Sequence, residues 1–212
     1  MNIRKAIVFA GLLALVSLGS GCGYNTLQTK QQNVKAKWAN IEVQLQRRAD
    51  LIPNLFEAAK AAGFQEQQVI SSITAARTTL LNSISAQPQG EGGDKSPEQK
   101  AAIMAANNSF GGTVGRLLSL SENYPTLQSS EAFRTLQVQL EGTENRIATA
   151  RGDYNTAVQD YNTARGNFPM VIAAKMYGFK EEPLFKADDN AREAPKLNAN
   201  DVRQQAPSPS AK

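Results

Sequence analysis

Histidine is absent from all 212 residues, and cysteine occurs once. The first absence removes the commonest general base and metal ligand, and with it Ser-His-Asp triads, Cys-His pairs and the usual zinc sites. The second excludes an internal disulfide framework. Aromatic residues are scarce at 7%, with hydrophobic residues at 41%, a mixture that suits helices packed through small residues better than a β-sandwich. Charge of one sign is also lacking. Two of the basic residues behind the formal net charge of +4, Arg4 and Lys5, sit in the first five positions. The nearly neutral remainder has no electrostatic footprint for nucleic acid. A phosphate-binding loop is missing too: in "GDKS", Asp94 stands where the glycine before the lysine is required, and no strand precedes it. No cofactor or metal is therefore expected.

What is present begins with an address. "MNIRK" is a basic segment, "AIVFAGLLALVSL" is a short apolar run, and "GSGCG" follows. The run is shorter than the ~20 residues a membrane span needs, and a Cys behind a small-residue cluster reads as a lipoprotein-type signal peptide over residues 1–21. Cys22 would then be diacylated through sulfur as the mature N-terminus. Gly19 departs from the leucine usual three places before such a cysteine. The alternative is an uncleaved anchor stretched through Gly21. Both tether the chain to a membrane by its first residues.

From Val34 the steps Trp38, Ile41, Leu45, Arg48, Ile52, Leu55 and Ala59 alternate between four and three, a coiled-coil-like seam. They predict a first helix from about Asn25 to Ala62, stopped by Gly63 and kinked at Pro53, which cannot donate to the Ala49 carbonyl. Ile70, Ile73, Arg77, Leu80 and Ile84 predict a second helix. Ser96, Pro97 and Gln99 open a third with a capping box, which Ile103, Asn107, Phe110, Val114 and Leu117 carry to a break at "NYPTL". Gly111 and Gly112 weaken it by roughly 1 kcal/mol each unless another backbone approaches closely there. A fourth helix is expected from about Ser130 to Asn167. The expected fold is all-α: an antiparallel up-down four-helix bundle over 22–179 with long first and last helices. Residues 180–212, poor in apolar residues toward the end, are expected to form a disordered tail.

The last helix repeats "DYNTA" seven positions apart. Seven residues are close to two helical turns, so Tyr154 and Tyr161 share a face, with Asn155 and Asn162 beside them. The tyrosine rings are expected inside the seam with hydroxyls reaching an edge; the two asparagines would bridge to neighbouring helices or to a partner. Arg48, Arg77 and Arg151 also fall on apolar stripes, where an unpaired charge would cost several kcal/mol. Glu122, Glu144 and Asp50 are their candidate partners. In "RRADLIPNL" the proline leaves a carbonyl free beside Arg47, Arg48, Asp50 and Asn54, a second candidate site.

"QLQRRADLIPNL", "ENYPTL", "TENRI" and the Tyr-Asn pairs at 24–25, 154–155 and 161–162 together resemble the LemA family, from roughly Tyr24 to Phe179. The resemblance implies a membrane-tethered helical bundle of the bacterial envelope, lying outside the cytoplasm on the inner or the outer membrane. Such proteins are often encoded near membrane metalloproteases, and one relative takes part in magnetosome membrane formation. The family usually carries a longer transmembrane anchor, so the Cys22 ending is a departure. The leading functional reading is a non-enzymatic scaffold presenting a helical face to envelope proteins or to copies of itself. Regulation of a membrane metalloprotease is a special case of it. A competing reading makes Glu122 and Glu144 the acid and base of a cell-wall enzyme.

Overall fold

The computed structural model describes residues 3–90 and 93–185, with side chains from Gly23 onward. The described chain is helical, without a strand: α1 (Ile3–Ala61), α2 (Gln67–Ser85), α3 (Pro97–Ser121), α4 (Pro125–Ser129), α5 (Glu131–Gly166) and α6 (Met170–Tyr177). Six helices replace the expected four. The two extra ones are short. Pro125 starts α4, whose Leu127 is buried, and Gly178, at φ 75°, closes α6 in the left-handed conformation that suits glycine.

The seam of α1 is buried as its spacing requires, with Val34, Trp38, Ile41, Leu45, Ile52, Leu55 and Ala59 at 2% exposure or less. Its partner is α5, which supplies Phe133, Leu140, Ile147, Tyr154, Val158 and Tyr161. The two run antiparallel: Lys37 pairs with Asp153, and Arg48 with Glu144. The helices α2 and α3 pack on each other and cover α1 and α5 from the end remote from the N-terminus, where Arg77 reaches Ala49 and Asn107 reaches Arg48, as far as Trp38 and Tyr154. The nearer part of α1 and α5 is covered by α6 and by the extended segment that follows it.

Local details follow the sequence. Ser96 and Gln99 form a complete capping box at α3. Gly63, at φ 84°, ends α1, while the Phe64 amide bonds the Ala59 carbonyl. Helix α1 continues through Pro53. The Gly111 position admits a side chain rather than a backbone: a Cβ there would lie 3.2 Å from Arg48 Nη2, so the arginine crosses α3 where the glycine leaves room. Among the described residues no helix is long and apolar enough to cross a membrane. The Cys22 side chain and residues 186–212 lie outside the described part.

Candidate functional site

Residues 179–185 form an extended strap hydrogen-bonded along α5. The repeated Tyr-Asn pairs hold it. The Asn162 amide donates to the Glu182 carbonyl at 2.8 Å and its oxygen accepts from the Glu182 N–H at 3.1 Å. Asn155 does the same with Phe185, at 3.0 and 2.9 Å. Each carboxamide thus replaces the neighbouring strand that an extended chain would pair with. Tyr161 donates to the Lys180 carbonyl at 2.8 Å, Tyr154 to that of Pro183 at 3.3 Å, and Arg165 Nε to that of Phe179 at 3.1 Å.

The seven-residue interval now has a geometric cause. Seven residues of helix rise about 10.5 Å, and the three steps from Glu182 to Phe185 cover about 10 Å of extended chain. One repeat of the helix therefore matches one repeat of the strap. The asparagines face this segment rather than a neighbouring helix. Both tyrosine rings are fully buried. Burial and the Glu182 carboxylate push the Tyr161 hydroxyl up to about 12, and the same two influences, with Asp94, raise Tyr154 further.

The strap is latched by a residue that periodicity did not single out. Lys100 occupies a core position of α3 at 1% exposure, and its Nζ lies 3.2 Å from both Asp94 and Glu182. The ammonium also sits 5.6 Å from the Trp38 ring centroid and 5.7 Å from that of Tyr154. Two carboxylates and two aromatic faces offset a desolvation that would otherwise cost several kcal/mol. The α2–α3 loop is drawn into the same corner, because Asp94 belongs to it and Lys95 Nζ donates to the Ile84 and Ala86 carbonyls. Beside it Glu42 accepts from Trp38 Nε1 at 2.9 Å, and burial raises its carboxyl above the usual range.

The other polar positions divide into two groups. Arg48 Nη1 meets Glu144 at 2.7 Å and the Asn107 oxygen at 2.9 Å, with its guanidinium 5.4 Å from the Phe110 ring. Burial lowers its pKa, and the Glu144 carboxylate opposes that shift. At the proline, Arg77 Nε donates to the Ala49 carbonyl at 2.8 Å while Nη2 lies 3.7 Å from Asp50. Ala49 is the residue whose carbonyl Pro53 cannot serve, so an arginine from α2 supplies the missing donor. Arg47 and Asn54 are exposed on the same stretch, and Asn54 borders a shallow 270 Å³ cavity with Phe56, Lys60 and Arg77.

The LemA family model matches residues 37–198, a span that takes in the proline stretch, both Tyr-Asn pairs and the whole strap. The chain belongs to the LemA family. Within that family it is similar to the proteins named Magnetosome protein MamQ 2 and Magnetosome protein MamQ 1 of Paramagnetospirillum magneticum, each 31% identical over 175 residues, which is 77% of this chain and 64% of the relative. The Magnetosome protein MamQ of Magnetospirillum gryphiswaldense is 28% identical over 174 residues, 76% of this chain and 64% of that one. The chain thus spans a little under two thirds of the length of these relatives.

In this LemA-family chain Arg151 lies apart from the expected carboxylates, with its guanidinium carbon 5.9 Å from the Phe185 ring. Glu122 caps the C-terminus of α3 and is exposed. It stands fifteen residues beyond Asn107, whereas Glu144 meets the same arginine that Asn107 meets. The two carboxylates are therefore offset by about 22 Å of helix rise, more than the roughly 6.5–9.5 Å of an inverting glycosidase pair.

Proposed function

We propose that this LemA-family chain is a membrane-tethered, non-enzymatic scaffold of the bacterial envelope, built on a rod of four long helices and presenting its outer face to envelope proteins or to further copies. The observation that carries this reading is the continuity of α1. A single helix runs from Ile3, at the start of the basic and apolar N-terminal segment, to Ala61 at the far end of the core. An uncleaved anchor at that segment would fix the orientation of the whole rod, and removal of residues 1–21 with acylation of Cys22 would instead tether α1 at its new first residue. The likeness to magnetosome proteins supports work at a membrane-bounded structure. The internal use of Arg48, Arg77 and Lys100 supports a structural rather than catalytic purpose for the buried charges.

The partner-facing surface in this reading is the exposed side of the proline stretch, around Arg47 and Asn54, and the solvent side of α5. Photo-crosslinking in intact cells from probes at Arg47, Asn54, Gln159 and Asp160 tests it. Reproducible capture of an envelope protein, a membrane protease among them, or of a second copy is the expected outcome. Absence of any crosslink from all four positions, under conditions where the deletion has a phenotype, would sink the scaffold reading.

A further inference from the structure

The end of the molecule beside the N-terminal segment carries an apolar stripe that the rod does not use. Phe168, Ile172 and Met176 recur every four residues at 82%, 54% and 63% exposure, and Tyr177 is 52% exposed. The opposite face of α6 is spent on packing: Ala173 and Ala174 are buried, and the Ala173 Cβ would lie 3.4 Å from a Cβ at Gly23. Tyr24 of α1 meets the Tyr177 ring at 4.9 Å and the Phe179 ring at 5.7 Å.

Position says what covers this stripe. The apolar run ends at Leu18, five residues and about 7.5 Å of helix before Gly23. The α1–α5 register, set by Lys37 with Asp153 and Arg48 with Glu144, brings Gly166 to the level of about residue 25. The turn into α6 and α6 itself are thus level with the point where α1 leaves its apolar segment. Charge agrees. No Asp or Glu occurs in residues 1–41 or 161–180, while Lys30, Arg165, Lys175 and Lys180 lie there. Arg165 is paired with Glu181 at 3.7 Å, and an end that bears lysines, exposed aliphatic residues and two tyrosines has the composition of an element seated in a headgroup layer.

We propose that α6 and the turn before it form an interfacial foot: the Phe168, Ile172 and Met176 stripe enters the acyl boundary of the bilayer that holds the N-terminus. The inference rests on the tethered reading above, and the test separates the two. Full-length protein carrying I172W, or M176W as a second variant, is reconstituted into vesicles of phosphatidylethanolamine and phosphatidylglycerol with or without brominated acyl chains. The native Trp38 is buried and common to every sample. V138W, at a 66% exposed position near the start of α5, is the control at the far end.

The expected result is bromine quenching about threefold larger for I172W and M176W than for V138W, as burial about 5–10 Å into the interface requires. If the protein floats with the vesicles but both variants emit as water-exposed and unquenched, the foot is wrong and the tether stands. Blue-shifted, unquenched emission together with crosslinks between copies at position 172 would assign the stripe to a second copy and overturn the lipid proposal. Failure of the intact protein to float would overturn both.

Discussion

Replacing Arg77 tests whether a side chain from one helix completes the backbone of another. In the native chain Pro53 provides no N–H for the Ala49 carbonyl, and Ala49 is fully buried. Arg77 Nε fills that role at 2.8 Å. The change R77M keeps much of the aliphatic stem and removes the donor, leaving a buried acceptor unpaired at about 1–3 kcal/mol. The Asp50 contact adds little: at 3.7 Å, with the two side chains 28% and 55% exposed, it belongs to the class worth about 0–1 kcal/mol. In a P53A background the new N–H can serve the carbonyl, so R77M should cost only that smaller amount. The double-mutant cycle predicts a coupling of about 1–2 kcal/mol between positions 53 and 77. Urea unfolding followed by circular dichroism at 222 nm reads it, and thermal midpoints should move by about 2–4 °C per kcal/mol for a domain of this size. Equal cost of R77M in both backgrounds would refute the reasoning, because the carbonyl would then not depend on the arginine.

Three further outcomes are expected. N155A and N162A each remove two strap hydrogen bonds worth about 1 kcal/mol apiece, so the Phe185 and Glu182 amides respectively should lose protection in hydrogen exchange while the α1–α5 core keeps its own; unchanged exchange in the double variant would mean the strap is held by other contacts. K100M strips the counter-charge from Asp94 and Glu182 and should destabilise by about 3–5 kcal/mol, read as a fall in urea midpoint; a midpoint within error of the parent would show that the buried ion pairs contribute nothing net. The raised Tyr161 hydroxyl stabilises in its neutral form, so its contribution is complete below pH 10 and is lost as pH rises through about 12. The stability difference between the parent and Y161F should therefore shrink between pH 10 and 12, and a constant difference across that range would contradict the assignment.

The seams of the long helices were legible because burial repeats at 3.5 to 3.6 residues and leaves its mark on every turn. Trp38, Leu45, Phe110 and Leu140 could be placed inward from spacing alone, and the Ser96 cap from three residues. That Arg48 and Arg77 would meet carboxylates was foreseeable for a related reason, since a charge on an apolar stripe demands a partner, but which carboxylate serves which arginine was not. The strap was not legible. Extended chain fixed by side-chain amides has no periodicity of its own, and "FKEEPLF" is indistinguishable in composition from the start of a solvated tail. The only sign was on the partner, in the seven-residue repeat, whose match to three extended residues becomes visible once the two lie side by side. Lys100 was hidden by the opposite difficulty, since a lysine on a helix is ordinarily a solvent-facing residue. Its burial depends on Asp94 and Glu182, six and eighty-two positions away.

The strap also gives the molecule a mechanical direction. It leaves α6 at the end beside the N-terminus and climbs α5 antiparallel to it, so its asparagine clamps lie in line along the strap axis. A pull on the chain beyond Phe185, directed away from that end, loads both clamps, the two tyrosine bonds and the Lys100–Glu182 pair together, in shear. The same force turned back toward α6 would open the Phe185 clamp first, then the Glu182 clamp, one at a time and at much lower load. Whatever grips the C-terminal side of this protein would meet a stiff connection from one direction and a zipper from the other.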